Sequence, residues 1–257
     1  MLNYKSTNII FICLLIVLAV SRTFFLYEVG YVVAVLSMVY IILLSYSAID
    51  FRMMFYFKTK YYSKTNEKIL AISFDDGPAD KTVQVLDILK KYNIKAAFFI
   101  VGERAEKQKQ IITRMDLEGH IIGNHSYTHH FWFDLFSTKR MIEELKNTEK
   151  IIESIVSKKM KLFRPPYGVT NPSLEKALCE MNYNSIGWSL KSKDTVIKNR
   201  QKIEKRLRRK LKEGSIILFH DTTPNITEVL SNFIEYALQC NYKIVRLDDL
   251  LNIKAYE

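Results

Sequence analysis

Ile69-Leu70-Ala71-Ile72-Ser73-Phe74-Asp75-Asp76-Gly77-Pro78 runs from apolar residues into two carboxylates and a turn. An apolar run this short, stopped by Gly-Pro, has the form of a buried strand. Val83–Tyr92 behind it has helical spacing with a polar outer face. The same alternation continues to the C-terminus. Short apolar runs recur at Ala96–Val101, His120–Gly123, Leu162-Phe163, Ile186–Trp188, Ile216–Phe219 and Lys243–Val245. Helices are predicted from Val101 through Met115 and over Thr138–Val156, Pro172–Met181, Ile197–Lys212 and Ile226–Cys240. Strands alternating with helices imply an α/β fold with a mostly parallel sheet, either a barrel or an open doubly wound sheet. Both place their functional site at the C-terminal ends of the strands.

The polar residues follow that rule. Asp75 and Asp76 come directly after the first run, and His125 follows the third, with His129 four residues on. Arg164 follows Leu162-Phe163, Trp188 to Asp194 follow the fifth run, and His220-Asp221 end the sixth. Of the five histidines, His125, His129, His130 and His220 lie in or beside these clusters. His120 reads as structural.

Two imidazoles and a carboxylate from another strand end form a recurrent site for a divalent metal with open coordination positions. Asp76, His125 and His129 are the expected ligands. A metal so held lowers the pKa of bound water towards ~7 and polarises a carbonyl oxygen. Cleaving an amide takes two further groups, a base for the water's proton and an acid for the departing amine. Asp75 fits the first role and His220 the second. Paired aspartates before a helix also serve as caps, but Gly77-Pro78 and the histidine pair favour the metal site. Arg164, between Phe163 and Pro165-Pro166 in a rigid segment, is expected to pair with a carboxylate. His130 is spaced from His125 less favourably for one helix face than His129 is. Asp221 fits either a supporting role or a turn.

These residues carry a resemblance. Ser73-Phe74-Asp75-Asp76-Gly77-Pro78 resembles the opening motif of the polysaccharide deacetylases, carbohydrate esterase family 4. Gly119-His120-Ile121-Ile122-Gly123-Asn124-His125-Ser126-Tyr127-Thr128-His129 is similar to the second motif. Arg164-Pro165-Pro166-Tyr167-Gly168 matches the third and Leu218-Phe219-His220-Asp221 the fifth, while Ala97–Gly102 resembles the family's second strand. The matches stand in family order across residues 68–250.

The resemblance implies a distorted (β/α) barrel, usually of seven parallel strands. It also implies deacetylation of acetylated polysaccharide such as peptidoglycan, chitin or esterified xylan. It gives Asp75 as base, His220 as acid, and Asp76, His125 and His129 as ligands of a metal that is usually zinc. Arg164 would orient Asp75, and Asp194 would hydrogen-bond and tune His220. Tyr167, through its backbone N–H, would help hold the tetrahedral oxyanion, and Leu218 would line the pocket for the acetyl methyl. The fourth motif departs from the family's Asp-x-x-Asp-Trp pattern, reading Lys191-Ser192-Lys193-Asp194-Thr195. That puts the substrate in doubt more than the chemistry. The usual proline after His129 is also missing, and His130-Phe131-Trp132-Phe133 stands there, aromatics that could stack on sugars or pack inward.

The first 60 residues differ in kind. From Ile9 to Ile49 the only charges are Arg22 and Glu28. Two transmembrane helices turning near Arg22–Gly30 are expected, making residues 1–60 a membrane anchor and residues 61–257 the catalytic domain. A signal-like first segment, with Lys5 ahead of it and Ala19 and Ser21 at a cleavage site, plus one helix, is the competing reading. A buried soluble pair has no polar face to put in water. The lysines after the second span place the domain in the cytoplasm by the positive-inside rule. Export to the outer face suits a polysaccharide substrate better and is the orientation expected here.

The whole chain carries +11, and residues 61–257 hold 33 Lys/Arg against 25 Asp/Glu. A basic domain of this kind suits anionic lipid or an anionic polymer, and no nucleic-acid motif accompanies it. Cys13, Cys179 and Cys240 support neither a disulfide framework nor a thiolate metal site. Beside the polysaccharide deacetylase stand two alternatives. One is a deacetylase or deformylase of a lipid-linked or small amidated sugar at the cytoplasmic leaflet; the other is a non-catalytic, metal-dependent sugar-binding membrane protein.

Overall fold

The computed structural model describes residues 3–25 and 29–257. Two long helices come first, α1 (Tyr4–Phe25) and α2 (Gly30–Ile49). The strands are β1 (Thr59–Lys60), β2 (Ile69–Asp75), β3 (Ala97–Ile100), β4 (Ile121–Asn124), β5 (Leu162–Phe163), β6 (Asn184–Ile186), β7 (Leu190–Lys191), β8 (Ser215–His220) and β9 (Lys243–Ile244). The helices that cross between them are α3 (Thr82–Lys91), α4 (Gly102–Lys107), α5 (Lys109–Leu117), α6 (Thr138–Val156), α7 (Pro172–Met181), α8 (Arg200–Lys210) and α9 (Ile226–Gln239), with α10 (Leu247–Leu251) closing the chain.

All the strand pairings are parallel, in the order β1-β6-β5-β4-β3-β2-β8-β7, with β9 added to the first two residues of β2. The seven expected runs become nine strands among the described residues, for two local reasons. β1 adds to the edge of β6, and the run around Ile186–Trp188 divides in two. Its first part pairs with β5 and its second with β8, so residues 184–191 join both ends of the curled sheet. Of the expected alternatives this is the distorted barrel, not the open sheet.

Alternation along the strands sorts the apolar residues into two cores. Leu70, Ile72, Phe74, Phe98, Ile100, Ile217 and Phe219 face outward to the helices. Ala71, Ala97, Phe99, Ile121, Leu162 and Ile216 fill the barrel interior. The helices form where their apolar spacing meets the outer face. In α6, for example, Met141, Ile142, Leu145 and Ile152 are buried and Ser137 caps the first turn.

The N-terminal helices pack against each other in opposite directions. Phe11 stacks on Tyr40 at 4.0 Å, and the Tyr40 hydroxyl donates to Asn8 Oδ1 at 2.6 Å. The turn expected near Arg22–Gly30 falls largely outside the described residues. Both helices are long and apolar enough to cross a membrane, over Tyr4–Arg22 and Gly30–Ile49. Their other ends meet the barrel: Tyr4 N–H donates to Phe55 O, and Thr170 N–H and Oγ1–H donate to Ala48 O.

Residues ahead of position 60 also pack into the barrel. Phe51 is only 6 % exposed and packs edge-on against Trp188 at 4.8 Å. A Cβ on Gly187 would come within 2.3 Å of the Phe51 ring, so that position has no room for a larger residue. A chain beginning at Tyr61 lacks this plug and β1. It is expected to unfold roughly 3–5 kcal/mol more easily than one beginning at Asp50, as for deletion of a buried phenyl ring. Urea unfolding of the two fragments measures the difference, and equal midpoints would refute it.

Candidate active site

The interior face of the barrel continues upward into the site. Asp75 tops β2 above Ser73 and Ala71, and His220 tops β8 above Leu218 and Ile216. His125 follows β4 and Arg164 follows β5, on the same alternation as Ile121 and Leu162. Gly123 lies between, where a Cβ would sit 2.7 Å from the Phe99 ring. A cavity of about 210 Å³ opens above, lined by Asp75, Asp76, His125, His129, Tyr167 and His220, with Trp188, Lys191 and Thr195 on its rim. Leu218 is fully buried one layer beneath His220 and does not reach that wall.

Asp76, His125 and His129 converge. Asp76 Oδ1 is 3.3 Å from His129 Nε2 and 3.5 Å from His125 Nε2, and one donor atom from each residue lies within 4.8 Å of the others. The histidine pair is not on a helix, as its spacing suggested. A loop folds it together, with left-handed backbone at Ser126 (φ 64) and His129 (φ 49), and Asp76 is likewise left-handed (φ 71). Such conformations are uncommon outside glycine and persist where surrounding bonds hold them. Here the Glu144 carboxylate accepts from the backbone N–H groups of Tyr127 (3.0 Å) and Thr128 (2.8 Å) and from the Thr128 hydroxyl. His129 N–H donates to Ser126 Oγ.

The donor set suits a divalent ion. His125 Nδ1 bonds to Arg164 O at 2.7 Å, which leaves Nε2 facing Asp76. Burial, reinforced by the charge of His125, pushes the His129 imidazole down to about 4, so it is neutral at ordinary pH. Burial works against the Asp76 carboxylate too, but hydrogen bonding to His125 and the charges of the nearby histidines outweigh it and hold its pKa far below the usual range. Two imidazoles with free lone pairs and one carboxylate match a zinc-type coordination set.

The remaining predicted residues flank this trio. Arg164, wholly buried, donates from Nη1 to Asp75 Oδ1 at 2.7 Å and to Ser73 Oγ at 2.9 Å. His220 Nδ1 bonds to Asp194 Oδ1, and His220 N–H donates to Asp194 Oδ2, both at 2.8 Å. Burial alone would depress His220, but the Asp194 hydrogen bond and charge, with help from Asp75 and Asp76, raise it above the ordinary histidine value. Tyr167 is left-handed (φ 59, ψ −2) within Pro166–Gly168, and its ring meets His129 at 4.8 Å.

Residues with open readings resolve as follows. His130 is exposed and accepts from Trp132 N–H, apart from the Asp76, His125 and His129 group. His120 is buried, accepts from Ala96 N–H and is depressed to about 4 by burial, as a structural residue would be. Asp221 is fully buried behind the Asp76-Gly77 loop and accepts from the Thr82 hydroxyl; burial pushes its carboxyl up to about 7. Phe133 packs in the core, whereas Phe131 and Trp132 stand exposed beside Tyr167.

Glu144 is the residue that motif reading missed. Its signal was present, a carboxylate between Met141 and Leu145 on the buried face of an amphipathic helix.

A family profile described as polysaccharide deacetylase matches residues 62–186. Peptidoglycan-N-acetylglucosamine deacetylase from Bacillus cereus is 32 % identical over 199 residues, covering 74 % of this chain and 91 % of that protein. Peptidoglycan-N-acetylmuramic acid deacetylase PdaC from Bacillus subtilis is 33 % identical over 190 residues, and the match spans 74 % of this chain but only 40 % of PdaC. The crystal structure of the Bc1960 peptidoglycan N-acetylglucosamine deacetylase superposes with a TM-score of 0.72 at 29 % identity, covering 77 % of this chain and 95 % of that one.

Glu144→Ala removes the acceptor for three donors of the 126–129 loop. It is expected to weaken divalent-metal affinity by about 10–100-fold, as loss of a residue that orients a metal site does. Chelator competition measures this, and unchanged affinity in folded protein would show that the loop holds itself.

Proposed function

The chain belongs to the polysaccharide deacetylase family, and from that premise we propose that it hydrolyses the N-acetyl amide of N-acetylglucosamine units in cell-wall glycan, peptidoglycan foremost. The observation that carries this reading is the meeting of Asp75, Asp76, His125, His129 and His220 around one cavity, with Arg164 behind the first and Asp194 behind the last. Asp76, His125 and His129 would hold a divalent cation, zinc by their donor chemistry, which would supply Lewis acidity towards water and the amide carbonyl.

The chain's own groups do the rest. Arg164 engages Asp75 Oδ1, which leaves Oδ2 to accept the proton of the attacking water. Asp194 holds Nδ1–H of His220, so the imidazolium presents Nε2–H to the departing amine. The backbone N–H of Tyr167, at the left-handed turn, helps hold the developing oxyanion. Phe131 and Trp132 offer apolar faces to pyranose rings, and Lys191 and Thr195 on the rim set which glycan enters. α1 and α2 anchor the chain in the membrane, with the barrel on the outer side where wall glycan lies.

The full chain is expected to release acetate from N-acetylglucosamine oligomers or peptidoglycan with zinc and not with chelator. Asp75→Asn should lower kcat by about 10²–10⁴ while metal stays bound, because it removes the base and spares the ligands. His125→Ala should lose metal and activity together, and a variant that kept its metal would overturn the ligand assignment.

The pH profile tests His220. As general acid it must be protonated, so activity falls as pH rises through its raised pKa. Asp194→Asn withdraws what raises that pKa, and the alkaline limb of kcat/KM should move to lower pH. An unmoved limb would exclude His220 as the acid.

A further inference from the structure

A second cavity, of about 400 Å³, adjoins the catalytic one, and Trp188 and Lys191 wall both. Its far side is the end of α2, where Tyr46 and Ile49 are exposed, followed by Asp50 and Arg52. Lys193 and Arg206 complete it. Arg52 is satisfied by Asp50 through two bonds of 2.7 Å. Lys191, Lys193 and Arg206 have no carboxylate partner among the described residues. Arg206 is aimed rather than loose, since its Nε donates to Lys191 O at 3.0 Å. Lys191 Nζ lies 5.3 Å from the centre of the Trp188 ring.

Three unpaired cations around a half-enclosed space are the chemistry of a phosphate site, with a guanidinium fork beside two ammonium groups. The order of the walls adds direction. Apolar side chains stand at the exit of α2, the cations lie next, and the catalytic cavity begins past Trp188. A neutral glycan has no use for that sequence, whereas a saccharide joined through phosphate to a lipid would match it from end to end. Lys191, one of the two positions at which the fourth stretch departs from the family's pattern, lies at the junction of the two spaces.

Resting on the reading of a membrane-anchored deacetylase, we infer that this second cavity seats the phosphate of a lipid-linked acetylated saccharide. The lipid lies along the end of α2, the phosphate among Lys191, Lys193 and Arg206, and the acetamido group reaches the catalytic cavity past Trp188. A bulk phospholipid headgroup carries the same anion, so the test must separate the two sources.

Trp132→Phe leaves Trp188 as the one tryptophan of the chain, which has two. The full chain carrying this substitution, in neutral detergent micelles, is titrated with farnesyl phosphate, farnesol and dihexanoyl phosphatidylglycerol while Trp188 emission is followed. Farnesyl phosphate is expected to give a saturable change and farnesol none. Lys193→Ala and Arg206→Ala should each weaken the response about tenfold, the loss of one charge-assisted hydrogen bond. No response to farnesyl phosphate, an equal response to farnesol, or insensitivity to both substitutions overturns the inference. A response to phosphatidylglycerol as tight as that to farnesyl phosphate assigns the site to bulk lipid and also overturns it.

Acetate release from N-acetylglucosamine oligomers, measured on the full chain with Trp132 retained, keeps the two readings apart. Release without farnesyl phosphate binding defeats only the phosphate site. Binding without release supports the site and defeats the deacetylase reading.

Discussion

The guanidinium of Arg164 is the interaction on which the rest of the architecture depends. It is completely buried, between the Phe99 ring at 4.0 Å and the Trp188 ring at 5.7 Å. A buried cation is tolerable only when its donors are used and a counter-charge is close. Arg164 meets both conditions by reaching across the barrel. Nε donates to Ile186 O, Nη2 to Gly187 O, and Nη1 to Ser73 Oγ and Asp75 Oδ1. One side chain thus ties the end of β5 to the kink between β6 and β7 and to the top of β2. Its own carbonyl takes His125 Nδ1, so the same residue orients both Asp75 and one of the proposed ligands.

That arrangement explains why some features were legible in the sequence and others were not. The strand ends could be read because an apolar run that stops at Asp75-Asp76-Gly77-Pro78 states its own boundary, and β2 forms there. α6 and α7 begin and end as their spacing predicts, since Ser137 and Asn171 cap them locally. What failed depends on contacts between distant segments. The division of residues 184–191 into β6 and β7 follows from which neighbour each half meets, not from its composition. The four-residue spacing of the histidine pair suggests a helix face, which the fold does not form there. The loop that unites it is held by Glu144, fifteen residues beyond His129 and on another element.

The N-terminal helices show the same limit. Their apolar character was plain, but nothing in the sequence before Thr59 indicated that Phe51 completes the wall behind Trp188. A phenylalanine after an apolar helix looks like more of the same. Only the fold shows that it fills the space that Gly168 and Gly187 leave open. Ala48 O, accepting from Thr170, makes a second tie to the loop that carries Tyr167.

Phe51 also bears on how such a chain can change over generations. Catalytic domains that hang from flexible tethers exchange their anchors freely, because no side chain of the anchor is needed inside. Here the segment directly after α2 supplies a piece of the barrel's core, so the two constrain each other's drift. A substitution at Gly187 or Trp188 is also a substitution against residue 51, and a join made beyond that residue would lose the plug. An exchange of segments near this seam therefore keeps the barrel wall whole only where Phe51 stays with the barrel.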